Sequence, residues 1–196
     1  MPSLAFSVAF ASFAVLLTAS VFGGLASDSI DFFRTHATAW SMTLLAAPPM
    51  YVFVHGFRRR PLGPWWLWFW SFGWVTCVVH FYFGLFDLHD GRPLTVFERQ
   101  GFGLAFSIFF FLAVWGLDVF AAFGRRLGPS GWAARAVPEY GWANTFAFVV
   151  GFATFFISTV IFRNDLTSLV VGLIMTAAVA GGLVLRLRSA PPGAQA

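Results

Sequence analysis

The chain has 196 residues, of which 59% are hydrophobic and only 10% charged, with 27 Phe and 9 Trp. A soluble domain carries about a quarter charged residues, so this composition excludes a surface that faces water all round. The formal net charge is +4 and every basic residue is an arginine. Set between apolar runs, that excess reads as a membrane-topology signal rather than the footprint of a polyanion, and no nucleic-acid partner is expected.

The first apolar run covers residues 4–26. No positive charge precedes it and it exceeds the apolar core of a signal peptide, so it is read as a first transmembrane helix. Ala5, Ala9, Ser12, Ala19 and Gly23 fall near one helical face, where small side chains let two backbones approach. The second run, 38–57, carries Pro48-Pro49 near its middle. Two prolines remove two backbone donors, and a kink that shapes packing is expected there, ahead of a hinge or cavity wall.

The third run, 65–86, opens in a tryptophan belt (Trp65, Trp66, Trp68, Trp70) and holds Cys77 and His80. Cys77 is the only cysteine, so neither a disulfide within the chain nor a CxxC site is available, and it is read as a small buried filler. Thr95-x-x-Glu98 is a capping-box pattern and predicts a short interfacial helix before the fourth run, 102–123, which carries Asp118. The fifth run, 141–162, shows Asn144, Gly151 and Ser158 at intervals of seven, with Thr154 close by, as a stripe turned inward. The sixth, 167–185, has Gly172 and Gly181-Gly182 for close packing.

Each run has about the 20 residues needed to cross the hydrocarbon core. The expected fold is all-α, a single polytopic bundle of six transmembrane helices over residues 1–196, without an internal repeat. Placing the N-terminus in the cytoplasm puts Arg58, Arg59, Arg60, Arg125, Arg126, Arg135, Arg186 and Arg188 inside. Arg34, Arg92, Arg99 and Arg163 then fall outside. That asymmetry predicts both termini cytoplasmic, in a bacterial-type inner membrane.

Three ionisable groups lie within the runs, where such side chains are costly and are functional candidates by default. His55 and Asp118 fall at similar depth, roughly 20–25 Å below the outer ends of their helices at ~1.5 Å per residue. They are expected to form an intramembrane polar pair, with Arg58 or Arg125 as alternative partners of Asp118. An interfacial structural pair is preferred there over a proton relay.

His80, flanked by Phe81, Tyr82 and Phe83, is the cofactor candidate: an axial ligand to haem or a pigment, or a donor to a quinone carbonyl. An interhelical hydrogen bond is the competing and preferred reading. Haem would want a second axial ligand at the same depth, and His36 and His89 are placed in outer loops. The outer face gathers Asp28, Asp31, His36, Asp87, His89, Asp90 and Glu98. Within it His36, Asp87, His89 and Asp90 offer nitrogen and oxygen ligands for Zn²⁺ or Cu²⁺, although the spacing matches no compact metal motif.

There is no GxSxG elbow, P-loop, GxGxxG or histidine box, so an enzyme is not the favoured reading. The sequence points first to a non-catalytic accessory or structural subunit of a larger membrane complex, of respiratory, photosynthetic or oxidative type. Its partners would be the lipid bilayer and other membrane proteins. A small carrier or substrate-binding transporter subunit comes second, and a haem- or quinone-binding oxidoreductase subunit third.

Overall fold

The computed structural model describes residues 3–128, 135–161 and 165–189. Within them the chain is all-α. Helix α1 (Leu4–Phe22) runs through a 3₁₀ turn (Gly23–Ala26) to α2 (Ile30–Gly56). It continues with α3 (Pro64–Leu88), a short α4 (Pro93–Gln100), α5 (Phe102–Leu127), α6 (Trp142–Phe156) and α7 (Leu166–Arg188). Among the described residues six helices are long and apolar enough to cross a membrane, all but α4. The chain is a multi-pass membrane protein.

Helix α2 is the centre. Of its most apolar stretch 61% is buried, against 17–33% for the other five spans. It packs most extensively on α3 and α7, with α1 against both α2 and α3; α5 joins the bundle through α3, and α6 through α5. A central helix in hydrocarbon gains no hydrophobic drive toward its neighbours, so close backbone approach and interhelical hydrogen bonds must hold it. Both are present. Ser20 Oγ of α1 lies 2.8 Å from Ser41 Oγ of α2. Trp40 Nε1 of α2 donates to Ser168 Oγ of α7 at 2.9 Å. Ser168 is held in turn by Asp165, whose carboxyl caps α7 through the Ser168 N–H at 2.7 Å.

Several local expectations shift. Helix α2 begins at Ile30, eight residues before its apolar run, because the helix continues past the apolar stretch with Asp31, Arg34 and His36 on it. His36 is therefore helical rather than in a loop. The backbone stays helical through Pro48 and Pro49. On α1, Ala5 and Ala9 are buried as expected, but Ser20 and Gly24 continue the stripe in place of Ala19 and Gly23.

The short helix α4 forms where expected, but Thr95 does not cap it. Pro93 takes the first helical position with Arg92 as N-cap, since a proline ring already holds the helical φ and has no N–H to lose. Two of the four belt tryptophans, Trp66 and Trp70, are buried core residues, while Trp65 is 43% exposed. Cys77 is a free, buried thiol.

Helix α6 ends in a π-helical turn, Ile157–Ile161. The wider turn adds a residue to the register, so Thr159 is buried while Ser158 faces outward. The expected stripe holds at Asn144 and Gly151 and breaks there. Phe162, at the end of the predicted fifth span, and Arg163 lie outside the described residues.

Glycines set two of the closest contacts. A Cβ on Gly182 would stand 2.9 Å from the Tyr51 carbonyl oxygen of α2, and one on Gly172 would collide with Thr159 and Val160 of the π turn. Gly181, beside Gly182, has open space. Backbone cannot yield as a side-chain tip can. Gly182→Ala is therefore expected to lower the melting temperature of the detergent-solubilised protein by several degrees, with Gly181→Ala unchanged or slightly higher, since Ala is the better helix former by about 1 kcal/mol. Differential scanning fluorimetry of the two variants checks it.

Candidate functional site

The interface between α3 and α5 is built from two adjacent pairs, Gly73-Trp74 and Trp115-Gly116. The helices run antiparallel, so the pairs interlock. A Cβ on Gly73 would stand 2.8 Å from the Trp115 ring, and a Cβ on Gly116 2.8 Å from the Trp74 indole nitrogen. Each glycine is the seat for the other helix's tryptophan. Trp74 Nε1 donates to the Leu112 carbonyl at 3.2 Å. Trp115 is fully buried against Trp70, Phe111 and Phe155, with ring centroids 4.8–5.7 Å away.

One turn nearer the arginine-bearing end the same register brings Trp70 to Asp118. Trp70 Nε1 donates to Asp118 Oδ2 at 2.9 Å. From α6, Asn144 Nδ2 donates to both carboxyl oxygens, at 3.0 and 2.9 Å. Asn144 Oδ1 accepts the Tyr140 N–H at 3.2 Å, which orients the amide with its nitrogen toward the carboxyl. All three side chains are buried, at 1–5% exposure. An unpaired carboxyl here would cost several kcal/mol; this one is met by donors from two other helices.

The array continues to the membrane face. Arg125 Nη1 donates to the Val137 carbonyl at 2.7 Å and Arg126 Nη2 to the Leu62 carbonyl at 3.1 Å. The Leu62 N–H returns to Glu139 Oε2 at 2.9 Å, and the Tyr140 hydroxyl donates to the Arg60 carbonyl at 2.9 Å. Burial, with the Glu139 carboxylate beside it, pushes the Tyr140 phenol up to about 12, so it stays a donor at any physiological pH. Tyr140 and Arg58 both sit at positive φ, 55° and 57°, a conformation that costs a non-glycine residue of order 1–3 kcal/mol. The α2–α3 loop and the entry to α6 are thus tied to the end of α5.

The other candidates separate. His55 is half-buried and stacks on Tyr51, ring centroids 5.6 Å apart at 10°. The partners of Asp118 are Trp70 and Asn144, so the expected pairing with His55 is not formed. Arg125, the alternative partner, donates to the Val137 carbonyl and is close enough to Asp118 for the two to interact electrostatically, without a hydrogen bond between them.

His80 of α3 places Nδ1 2.8 Å from the Thr35 carbonyl of α2 and 3.3 Å from Thr38 Oγ1. A carbonyl only accepts, so Nδ1 carries the proton and the interhelical hydrogen bond is real. At the acidic end His36 Nδ1 lies on the Phe32 carbonyl at 2.9 Å and His89 Nε2 lies 3.3 Å from Gln100 Nε2. Asp87 is in the last turn of α3, and Asp90 takes a positive-φ turn position. Among the described residues no three His, Cys, Asp or Glu side chains gather as a ligand set, so His36, Asp87, His89 and Asp90 are not brought together as one.

Sequence reasoning found Asp118 but not its partners. The signal was there: Gly-Trp on one predicted span and Trp-Gly on the next fix an antiparallel register, and that register sets Trp70 against Asp118. Asn144 was already assigned to an inward stripe. No family model matches the chain, and neither the curated proteins nor the solved structures contain a match to it.

The geometry does the work of a cross-link between three helices. Asn144→Ala removes the donor shared by both carboxyl oxygens and is expected to cost about 1–3 kcal/mol, the range for leaving a buried polar group short of its partner. The further cost of Asp118→Leu is expected to be smaller in that chain than in the unaltered one, because part of what the carboxyl contributes has already gone with Asn144, while the Trp70 bond is lost in both. Unfolding from detergent micelles, with the double mutant compared to both singles, checks the coupling.

Proposed function

We propose that this chain is a non-catalytic accessory or structural subunit of a larger membrane complex. It would sit in a bacterial-type cytoplasmic membrane with its arginine-rich end inside. The observation that carries this reading is how the chain disposes of its polar and aromatic groups. The intramembrane Asp118 and His80 are engaged in bonds between helices, which suits a scaffold better than a site that must exchange protons or bind a substrate.

The outer surface is meanwhile rich in ordered aromatics. On α5, Phe102, Phe106 and Phe110 stack in succession at 5.8 Å and are 72%, 51% and 39% exposed; Phe110 meets Phe146 of α6 edge-on at 6.1 Å. Such a rigid ladder loses little side-chain entropy on contact, and aromatic anchors dominate protein interfaces. Mild-detergent purification from native membranes, followed by native mass measurement, tests the proposal. The expected result is a stoichiometric complex well above 21.6 kDa whose mass falls when Phe106 and Phe110 are replaced by Ala. A monodisperse, stable monomer from the same membranes would contradict it.

A second reading, a haem-, pigment- or quinone-binding subunit, is favoured by one detail. The Thr35 carbonyl holds His80 with Nδ1 protonated, which leaves Nε2 as the nitrogen able to take a ligand. An absorption spectrum of the same preparation separates the two readings. The accessory-subunit account expects His80→Ala to leave the spectrum unchanged, whereas a visible band lost in that variant would establish the redox reading.

A further inference from the structure

One cavity of the bundle opens sideways between α2, α3 and α7. It has a volume of about 510 Å³, and its walls include Pro48 and Tyr51 of α2, Trp65, Trp66 and Phe69 of α3, and Ala178 of α7. The lining is aliphatic and aromatic, which suits a hydrocarbon chain and offers a polar metabolite nothing to bond. Pro48 lies in its wall, with Pro49 buried behind it.

What stands at its end is charged. Ala178, Gly182 and Arg186 follow one another at intervals of four along a single face of α7, so Arg186 sits about 12 Å beyond Ala178 at ~1.5 Å per residue. Arg59, just past the end of α2, donates from Nη1 to the Arg186 carbonyl at 3.0 Å and reaches Ser189 Oγ at 3.4 Å. The Arg186 guanidinium lies 5.0 Å from the Phe57 ring centroid and that of Arg58 5.3 Å from the same ring. Among the described residues none of these three arginines hydrogen-bonds a carboxylate. Glu139 gives Oε2 to the Leu62 N–H and lines a polar pocket with Arg58, Arg59 and Arg60, so one carboxylate faces three arginines. Trp65, 43% exposed, lies in the first turn of α3 and in the groove wall, and an indole near a helix end suits an apolar body in the acyl region with its N–H among headgroups.

We propose that this groove is a binding site for an anionic phospholipid. One acyl chain lies along Tyr51, Trp66 and Phe69, and the phosphate sits against Arg59 and Arg186 at the mouth. Charge complementarity selects this occupant. A neutral lipid fills the groove equally well but brings no negative charge to the arginines at this end. A basic residue near a membrane surface is worth about a fivefold preference for an anionic lipid.

Native mass spectrometry of the purified full-length chain tests this, with phosphatidylglycerol or phosphatidylcholine of identical acyl chains added in turn. The expected result is one tightly retained phosphatidylglycerol per chain, in preference to phosphatidylcholine, with the preference falling as salt is raised. Arg186→Gln leaves the backbone carbonyl that Arg59 uses, and is expected to cut the preference about fivefold while leaving phosphatidylcholine adducts unchanged. Ala178→Phe fills the groove and is expected to reduce retention of both lipids; the phosphatidylcholine adducts of Arg186→Gln report independently that the variant is folded. Equal retention of the two lipids by the unaltered chain would overturn the proposal. So would an undiminished phosphatidylglycerol preference in Arg186→Gln. A dimer abolished by Ala178→Phe, with lipid retention intact, would assign the groove to a second copy and overturn it as well.

Discussion

A carboxyl group inside a membrane bundle must be met by donors, and in this chain that requirement organises half of the fold. Asp118 accepts from Trp70 and Asn144, and the three residues come from α5, α3 and α6. Satisfying one acceptor pair therefore fixes the relative rotation of three helices that lipid alone would not hold together. The constraint spreads outward through Asn144, whose oxygen takes the Tyr140 N–H, and through Tyr140, whose hydroxyl reaches Arg60. An intramembrane acid thereby governs the conformation of the loops at the arginine-rich end.

The other half of the bundle rests on a different device. Around α2 missing side chains bring backbones close, as where Gly182 lets α7 meet the Tyr51 carbonyl, and single neutral hydrogen bonds from α1, α3 and α7 add to that packing. The α3–α5 contact combines both devices, with glycine seats for Trp74 and Trp115 and the Trp70–Asp118 hydrogen bond one turn away. Dispersion from two large rings in fitted seats contributes many small contacts, and the hydrogen bond to Asp118 supplies direction. Helices α5 and α6 touch the central helix little. The Asp118 centre adds directional bonds among α3, α5 and α6 to the contacts that the π turn makes with Gly172 of α7 and Phe148 with Phe53 of α2.

The span count and the presence of a polar group on α5 were legible from hydropathy, because a run of about 20 apolar residues and a lone acid are properties of local sequence. The partners were not, for identifiable reasons. Asn144 and Trp70 lie 26 residues from Asp118 on one side and 48 on the other, and the pairing depends on rotation about three axes. His55 was matched to Asp118 by depth alone, and depth carries no information about which face of a helix a residue occupies. Trp66 and Trp70 were read as a surface belt because tryptophan is common at interfaces; their spacing of four, continued by Gly73 and Cys77, marks the buried face instead. At Ser158 a regular seven-residue pattern failed because a π turn inserted one residue, which periodicity cannot anticipate.

The claim that Asp118 is the keystone is tested most directly on the Trp70 indole proton, by hydrogen-exchange NMR of the ¹⁵N-tryptophan-labelled protein in micelles. The account predicts a Trp70 Nε1–H resonance shifted downfield and strongly protected. In Asp118→Leu both properties are expected to be lost, while the Trp74 resonance, bonded to the Leu112 carbonyl, moves little. A Trp70 proton that exchanges as readily as that of the exposed Trp65, or that is unaffected by Asp118→Leu, would contradict the account.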